Sequence, residues 1–160
     1  MRTANFSLVG DGISISIAAS GIEWDLHNCA DFEGFEYRRE GGGARATLTW
    51  RVRKETLDWS RRGEYGLPRY PAERFCLRFS EVAWLEVAPR DAAMPFGEDA
   101  CLSSVSWLTA GEALAPWREG QCVPLLLSSD AGLRDAHLLF CFRGGQIIRI
   151  GAAVAEFVLL

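Results

Sequence analysis

The sequence predicts a mainly β fold, an antiparallel sandwich or flattened barrel of about eight to nine strands with little helix. Three observations carry that expectation. Apolar residues alternate at period two in several segments, turn signals recur every 8 to 12 residues or so, and helical periodicity is nearly missing. The central element is Phe75–Val87, FCLRFSEVAWLEV, in which Phe75, Leu77, Phe79, Ala83, Leu85 and Val87 share one parity, interrupted by Glu81. Alternate side chains of a strand point to opposite faces, so this stretch presents one nearly continuous apolar face. Ser80-Glu81 is poor chemistry for a two-residue hairpin turn. One long strand, bent or bulged near Glu81, is expected to cross the sheet.

Taken in order, Ile13, Ile15 and Ile17 alternate with serines as a half-buried strand, after a Gly10-Asp11-Gly12 turn that makes Asn5–Val9 a candidate partner. The irregular passage from Gly21 resolves into a strand over Glu33–Arg39, with Phe35 and Tyr37 on one face. Gly41-Gly42-Gly43 turns it into a second strand, where Ala46, Leu48, Trp50 and Val52 alternate with charged and polar residues. Lys54–Arg74 has no strand pattern and holds Pro68 and Pro71; it reads as a long loop. After Pro89 come a turn-rich connection and a weaker strand over Leu102–Leu108. A mixed Ala110–Glu119 segment and a short apolar run, Cys122–Ser128, follow. His137–Arg143, Gly144-Gly145 and Gln146–Ile150 form a hairpin, and Ala152–Leu160 continues as a strand to the apolar C-terminus.

With 160 residues, 49% hydrophobic and 24% charged, the chain fits one ordinary domain, 1–160. A net charge of −4 argues against a nucleic-acid binder. The sequence shows no leader pattern and no apolar run of about 18 residues, which predicts a cytoplasmic protein with no membrane association. The five cysteines Cys29, Cys76, Cys101, Cys122 and Cys141 are widely spaced without a CxxC, so free thiols are expected and no metal or other cofactor.

Two constellations could carry chemistry. If Trp24–Asp31 is extended, Asp25, His27, Cys29 and Asp31 point the same way, a conceivable metal edge or thiol–imidazole pair that would serve a small-ligand-binding or hydrolytic protein. The competing reading is a turn whose Asp and Asn bond nearby backbone, anchored by Trp24 and Phe32. The second constellation is the Lys54–Arg74 loop. Between Arg51 and Arg78 lie eight Arg or Lys and four acids, with Trp59, Tyr65 and Tyr70 among them. Arg61, Arg62, Trp59, Tyr65, Arg69 and Tyr70 are the side-chain types that anchor protein interfaces, and an acidic protein partner would match their charge. GxSxG, P-loop, HExxH and Rossmann fingerprints are missing, so the expectation leans away from an enzyme. Nucleic acid is the less favoured partner for the arginine-aromatic loop. Pairing of strand edges between copies in a homo-oligomer stays open.

The FCLRFSEVAWLEV strand, the Pro95-Phe96-Gly97 turn and the closing hairpin HLLFCFRGGQIIRI together resemble a set of small uncharacterised bacterial β-proteins. Some of that set are thought to act as immunity partners of secreted toxins. A serine commonly follows the turn glycine there, where Glu98 stands in this chain. The resemblance implies a protein-binding role and transfers no catalytic residue.

Overall fold

The computed structural model describes residues 1–10, 13–41, 43–109, 125–128 and 136–160. Its strands are β1 (Arg2–Thr3), β2 (Phe6–Leu8), β3 (Ile13–Ser14), β4 (Ser16–Ala19), β5 (Ile22–Asp25), β6 (Ala30–Glu40), β7 (Gly43–Val52), β8 (Arg74–Ala88), β9 (Leu102–Thr109), β10 (Leu125–Ser128), β11 (Ala136–Phe142) and β12 (Ile147–Leu159). One α-helix, α1 (Lys54–Arg62), follows β7. The main sheet runs β3-β9-β11-β12-β8-β7-β6 and curls into a half-barrel; β2-β4-β5 form a small second sheet. Pairing is antiparallel except where β1 lies parallel on β12. The expected mainly β architecture is therefore present, in more strands than expected.

β8 is the long bent strand that the sequence predicts. Glu81 has φ 54°, and the register against β12 shifts between Gly151 and Ala152. The bulge changes β8's neighbours: β7 pairs with Arg74–Ser80, whereas β10 pairs with Trp84–Val87. It also changes the phase of burial. Phe75, Leu77 and Phe79 are buried before it, then Val82, then Leu85 and Val87; along β12, Phe157 and Ala155 give way to Ala152, Ile150 and Ile148. A single parity across 75–87 is thus corrected at residues 82–83, because an inserted residue re-aims the side chains that follow it.

The interior is aromatic where β7, β8 and β12 meet. Trp24 lies 4.7 Å from Phe75 and 5.1 Å from Phe157, and Trp50 stacks on Phe75 at 5.9 Å. Ala46, Leu48, Trp50 and Val52 are all buried, as their alternation requires. Phe32 packs 4.4 Å from Phe142, and its N–H donates to the Ala100 carbonyl at 2.8 Å, tying the β6 edge to the segment before β9.

Two local expectations change. The Ile13–Ile17 alternation holds only in part: Ile17 is buried as expected, but Ser14 and Ser16 are buried too and Ile15 is 37% exposed. The Ser14 hydroxyl donates to the Ser16 carbonyl (2.7 Å) and accepts from its N–H (2.9 Å), breaking the strand so that β3 joins the main sheet and β4 the small one. The Lys54–Arg74 loop contains α1 and a short 3-10 turn, Glu64–Gly66. The readings of Ala110–Glu119 and of Cys122 lie outside the described residues. Among the described residues Cys29, Cys76, Cys101 and Cys141 are free thiols, and no helix is long and apolar enough to cross a membrane.

Candidate interaction surface

Helix α1 carries little apolar signal, because its buried face is made of Thr56, Leu57 and Ser60. Arg53 precedes it in an extended conformation without a side-chain cap, and Gly63 ends it in the left-handed region at φ 72°. The Gly63 N–H returns to the Ser60 and Trp59 carbonyls. Ser60 also straps the returning chain onto the helix, since its hydroxyl donates to the Pro68 carbonyl at 2.5 Å and accepts the Tyr70 N–H at 3.2 Å. Between these anchors Tyr65 has φ 57°, flanked by left-handed Gly63 and Gly66. Its ring is 77% exposed and sits edge-on to Trp59 with centroids 5.1 Å apart.

The charges of this stretch are paired. Arg62 grips Glu64 through two hydrogen bonds (2.7 and 3.2 Å), Lys54 meets Asp58 at 2.8 Å, and Arg61 meets Glu73 at 3.3 Å. Arg51 and Arg74 share Glu33 at 2.6 and 2.7 Å, Arg53 binds Asp31 at 2.8 Å, and Arg78 binds Glu156 at 3.2 Å. Burial works against the Glu33 charge, yet the hydrogen bonds from Arg51 and Arg74 outweigh it and hold that carboxyl below its usual value. Asp31, Glu33 and Glu156 come from other strands, so the local basic surplus seen in the sequence is offset through space. Arg69 is the cation of this stretch that forms no ion pair among the described residues. Exposed pairs of this kind are worth about 0–1 kcal/mol each, weak enough for a partner to exchange them.

Of the six side chains expected at an interface, Arg61, Arg62, Arg69 and Tyr65 are exposed and Trp59 is half-buried beneath Tyr65. Tyr70 turns inward: its ring is 5.0 Å from Trp24 and its hydroxyl bonds the Cys29 thiol. Burial, followed by the neighbouring Cys29, pushes the Tyr70 hydroxyl well above the usual tyrosine value.

Between the end of β5 at Asp25 and the start of β6 at Ala30 the Trp24–Asp31 segment turns, so it is not one extended edge. Asp25 Oδ1 accepts the N–H groups of His27 and Asn28 at 3.0 and 2.8 Å, and Oδ2 accepts from the Asn28 amide at 2.8 Å. His27 Nδ1 donates to the Leu102 carbonyl at 2.6 Å and lies 3.6 Å from Cys101 Sγ. Burial pushes the Cys29 thiol up, against hydrogen bonds from Tyr70 and Thr56, which is the reverse of what a thiolate nucleophile needs. Asp31 is held by Arg53, whose other nitrogens donate to the Asn28 and His27 carbonyls at 2.9 and 3.4 Å. The side chains of Asp25, His27, Cys29 and Asp31 are thus each engaged by a different group. Among the described residues no three His, Cys, Asp or Glu side chains are placed to hold a metal. Cys101, the thiol nearest His27, gives no sign in the sequence because 74 residues separate them.

A further titratable group lies at the other end of β8. His137 is 1% exposed, Arg149 Nε donates to its Nδ1 at 2.9 Å, and Arg149 Nη1 stands 3.9 Å from Glu86. The His137 ring stacks on Trp84 at 6.1 Å and is pressed against Gly151, where a Cβ would fall 2.5 Å from Nε2. Burial, the Arg149 charge and the chain's amino terminus lower His137 to about 4. An open groove along Asn5–Ser7 and Ala18–Glu23 is lined by none of these residues. No protein family, curated protein or solved structure matches this chain.

Proposed function

We propose that the chain is a non-catalytic protein-interaction module that works in the cytoplasm and binds an acidic protein partner through α1 and the turn after it, in the manner of an immunity protein. The observation that carries this reading is Tyr65. A non-glycine residue at positive φ costs about 1–3 kcal/mol unless its surroundings over-determine it, and such positions cluster at functional sites. Here the strained residue is an aromatic ring that is left exposed and braced on Trp59, in a stretch that also exposes Arg61, Arg62 and Arg69. A fixed aromatic loses little entropy on binding, and exposed arginines can trade their local carboxylates for those of a partner. A phosphate backbone is a poorer match for a chain whose net charge is −4.

The test is a pull-down from the native host, followed by association kinetics for variants. Tyr65→Ala is expected to weaken binding by about 2 kcal/mol or more. Arg61→Glu with Arg62→Glu should slow association, and the difference should shrink as salt rises. If all three changes leave rate and affinity untouched, the surface is a solvated connector. Bound RNA with a steep salt dependence, or a small molecule seated beside His27, would replace this reading with another.

A further inference from the structure

The longer outer edge of the main sheet belongs to β6, and its sequence is complementary to itself. Glu40 pairs with Gly43 across a two-residue turn, so these two exchange both backbone hydrogen bonds, as do Arg38 with Arg45 and Glu36 with Thr47. Phe35, Tyr37 and Arg39 therefore turn their N–H and C=O groups away from β7. Among the described residues no strand takes up those groups. The one bond on that side is nearer the start of the strand, from the Phe32 N–H to Ala100. The edge has no proline or lysine to blunt it, and its bulge lies behind, between Phe32 and Gly34.

We infer that β6 pairs antiparallel with β6 of a second copy of this chain, centred on Tyr37. In that register Tyr37 faces its own symmetry mate and Phe35 faces Arg39. Glu36 of each copy stands directly across from Arg38 of the other. Glu36 and Arg38 occupy the non-hydrogen-bonded sites of the new pair, where facing side chains approach most closely and opposite charges stabilise. Within one chain Glu36 Oε1 already accepts from Arg38 Nε at 2.7 Å, and both side chains are exposed on the same face of β6. On the opposite face Phe35 and Tyr37 cover the core only partly, and a neighbouring strand would complete that cover. The two-fold arrangement is closed, since each edge is used up by its mate, which makes a dimer and not a fibre.

Sedimentation velocity of the full chain, from micromolar to near-millimolar concentration, should show a reversible monomer–dimer equilibrium. Exchange of the Phe35, Tyr37 and Arg39 amides should slow as concentration rises. Glu36→Arg and Arg38→Glu each set like charges face to face and should weaken the dimer about tenfold or more, with circular dichroism unchanged. The double swap, Glu36→Arg with Arg38→Glu, restores opposite charges across the pair and should recover most of the wild-type affinity. A chain that stays monomeric throughout overturns the inference. So does a dimer indifferent to the single reversals, or one that the double swap fails to rescue.

Discussion

Both ends of β8 send apolar side chains into the core, but among the described residues only the far end also buries a polar network. Before the Glu81 bulge, Phe75, Leu77 and Phe79 meet Trp24, Trp50 and Phe157, a dry cluster in which every contact is dispersion and area removed from water. Beyond the bulge, Trp84 and Glu86 lie beside Arg149 and His137 in a buried network that includes a 2.9 Å hydrogen bond and a 3.9 Å ion pair. The first end tolerates conditions and resents lost volume. The second is sensitive to the charge state of one imidazole. A single strand can thus join a region indifferent to pH to one that depends on it.

Removing the largest side chain of the dry end should have the largest effect. Trp50 is fully buried, so Trp50→Ala is expected to cost about 3–5 kcal/mol in urea unfolding. Its indole N–H has no hydrogen-bond partner among the described residues, so Trp50→Phe sheds an unsatisfied donor along with volume and should cost clearly less. A loss below about 1 kcal/mol for the alanine variant would mean that the aromatic cluster is not where the stability resides.

The wet end should show itself in acid. His137 titrates near 4 in the folded chain, below the 6.5 of an unperturbed imidazole, so the folded state prefers it neutral. Above pH 6.5 neither state protonates it and its contribution is complete. As pH falls from 6.5 towards 4 the unfolded chain binds a proton that the folded chain refuses, and about 3 kcal/mol of stability is lost in that window. Below it both states are protonated and the loss stops growing. Glu33, held low by its two arginines, gives up stability only at lower pH, as it passes below the ordinary carboxylate value of 4.5. His137→Gln keeps an acceptor for Arg149 and cannot titrate; stability measured across the same window should then be nearly flat. An unchanged pH dependence in that variant would locate the acid sensitivity elsewhere.

The legibility of these regions in the sequence follows from their physics. The dry end is readable because burial on one face of a strand enforces period-two alternation, as in Ala46, Leu48, Trp50 and Val52. The bulge is foreshadowed by Glu81 interrupting an apolar run. Helix α1 escapes such a reading, since Thr and Ser fill two of its three buried positions and leave Leu57 alone to carry the 3.6 period; Arg61-Arg62 before Gly63 is the stop signal that could mark it. The His137–Arg149–Glu86 network is hidden for another reason. Its members come from three strands, and no local pattern encodes a contact made only by sheet register. The candidate surface is legible in residue types but not in direction, because nothing in the sequence turns Tyr70 inward and Tyr65 outward.

The smallest expected effect separates the strain at Tyr65 from its ring. Tyr65→Ala and Tyr65→Gly both delete the edge-on contact with Trp59, so they forfeit the same packing. They differ in backbone alone: alanine keeps the penalty of a Cβ at φ 57°, whereas glycine removes it while adding freedom to the unfolded chain. The left-handed penalty is the larger of these two terms. The glycine variant should therefore be more stable than the alanine variant by about 1 kcal/mol, measured as a difference in urea midpoints at equal slope. Both should lose partner affinity to a similar extent if the ring makes the contact. Equal stability of the two variants would show that residue 65 does not keep its positive φ in solution, and the argument from strain to function would lose its footing. A glycine variant that is more stable yet binds as well as the wild type would preserve the strain and remove Tyr65 from the interface.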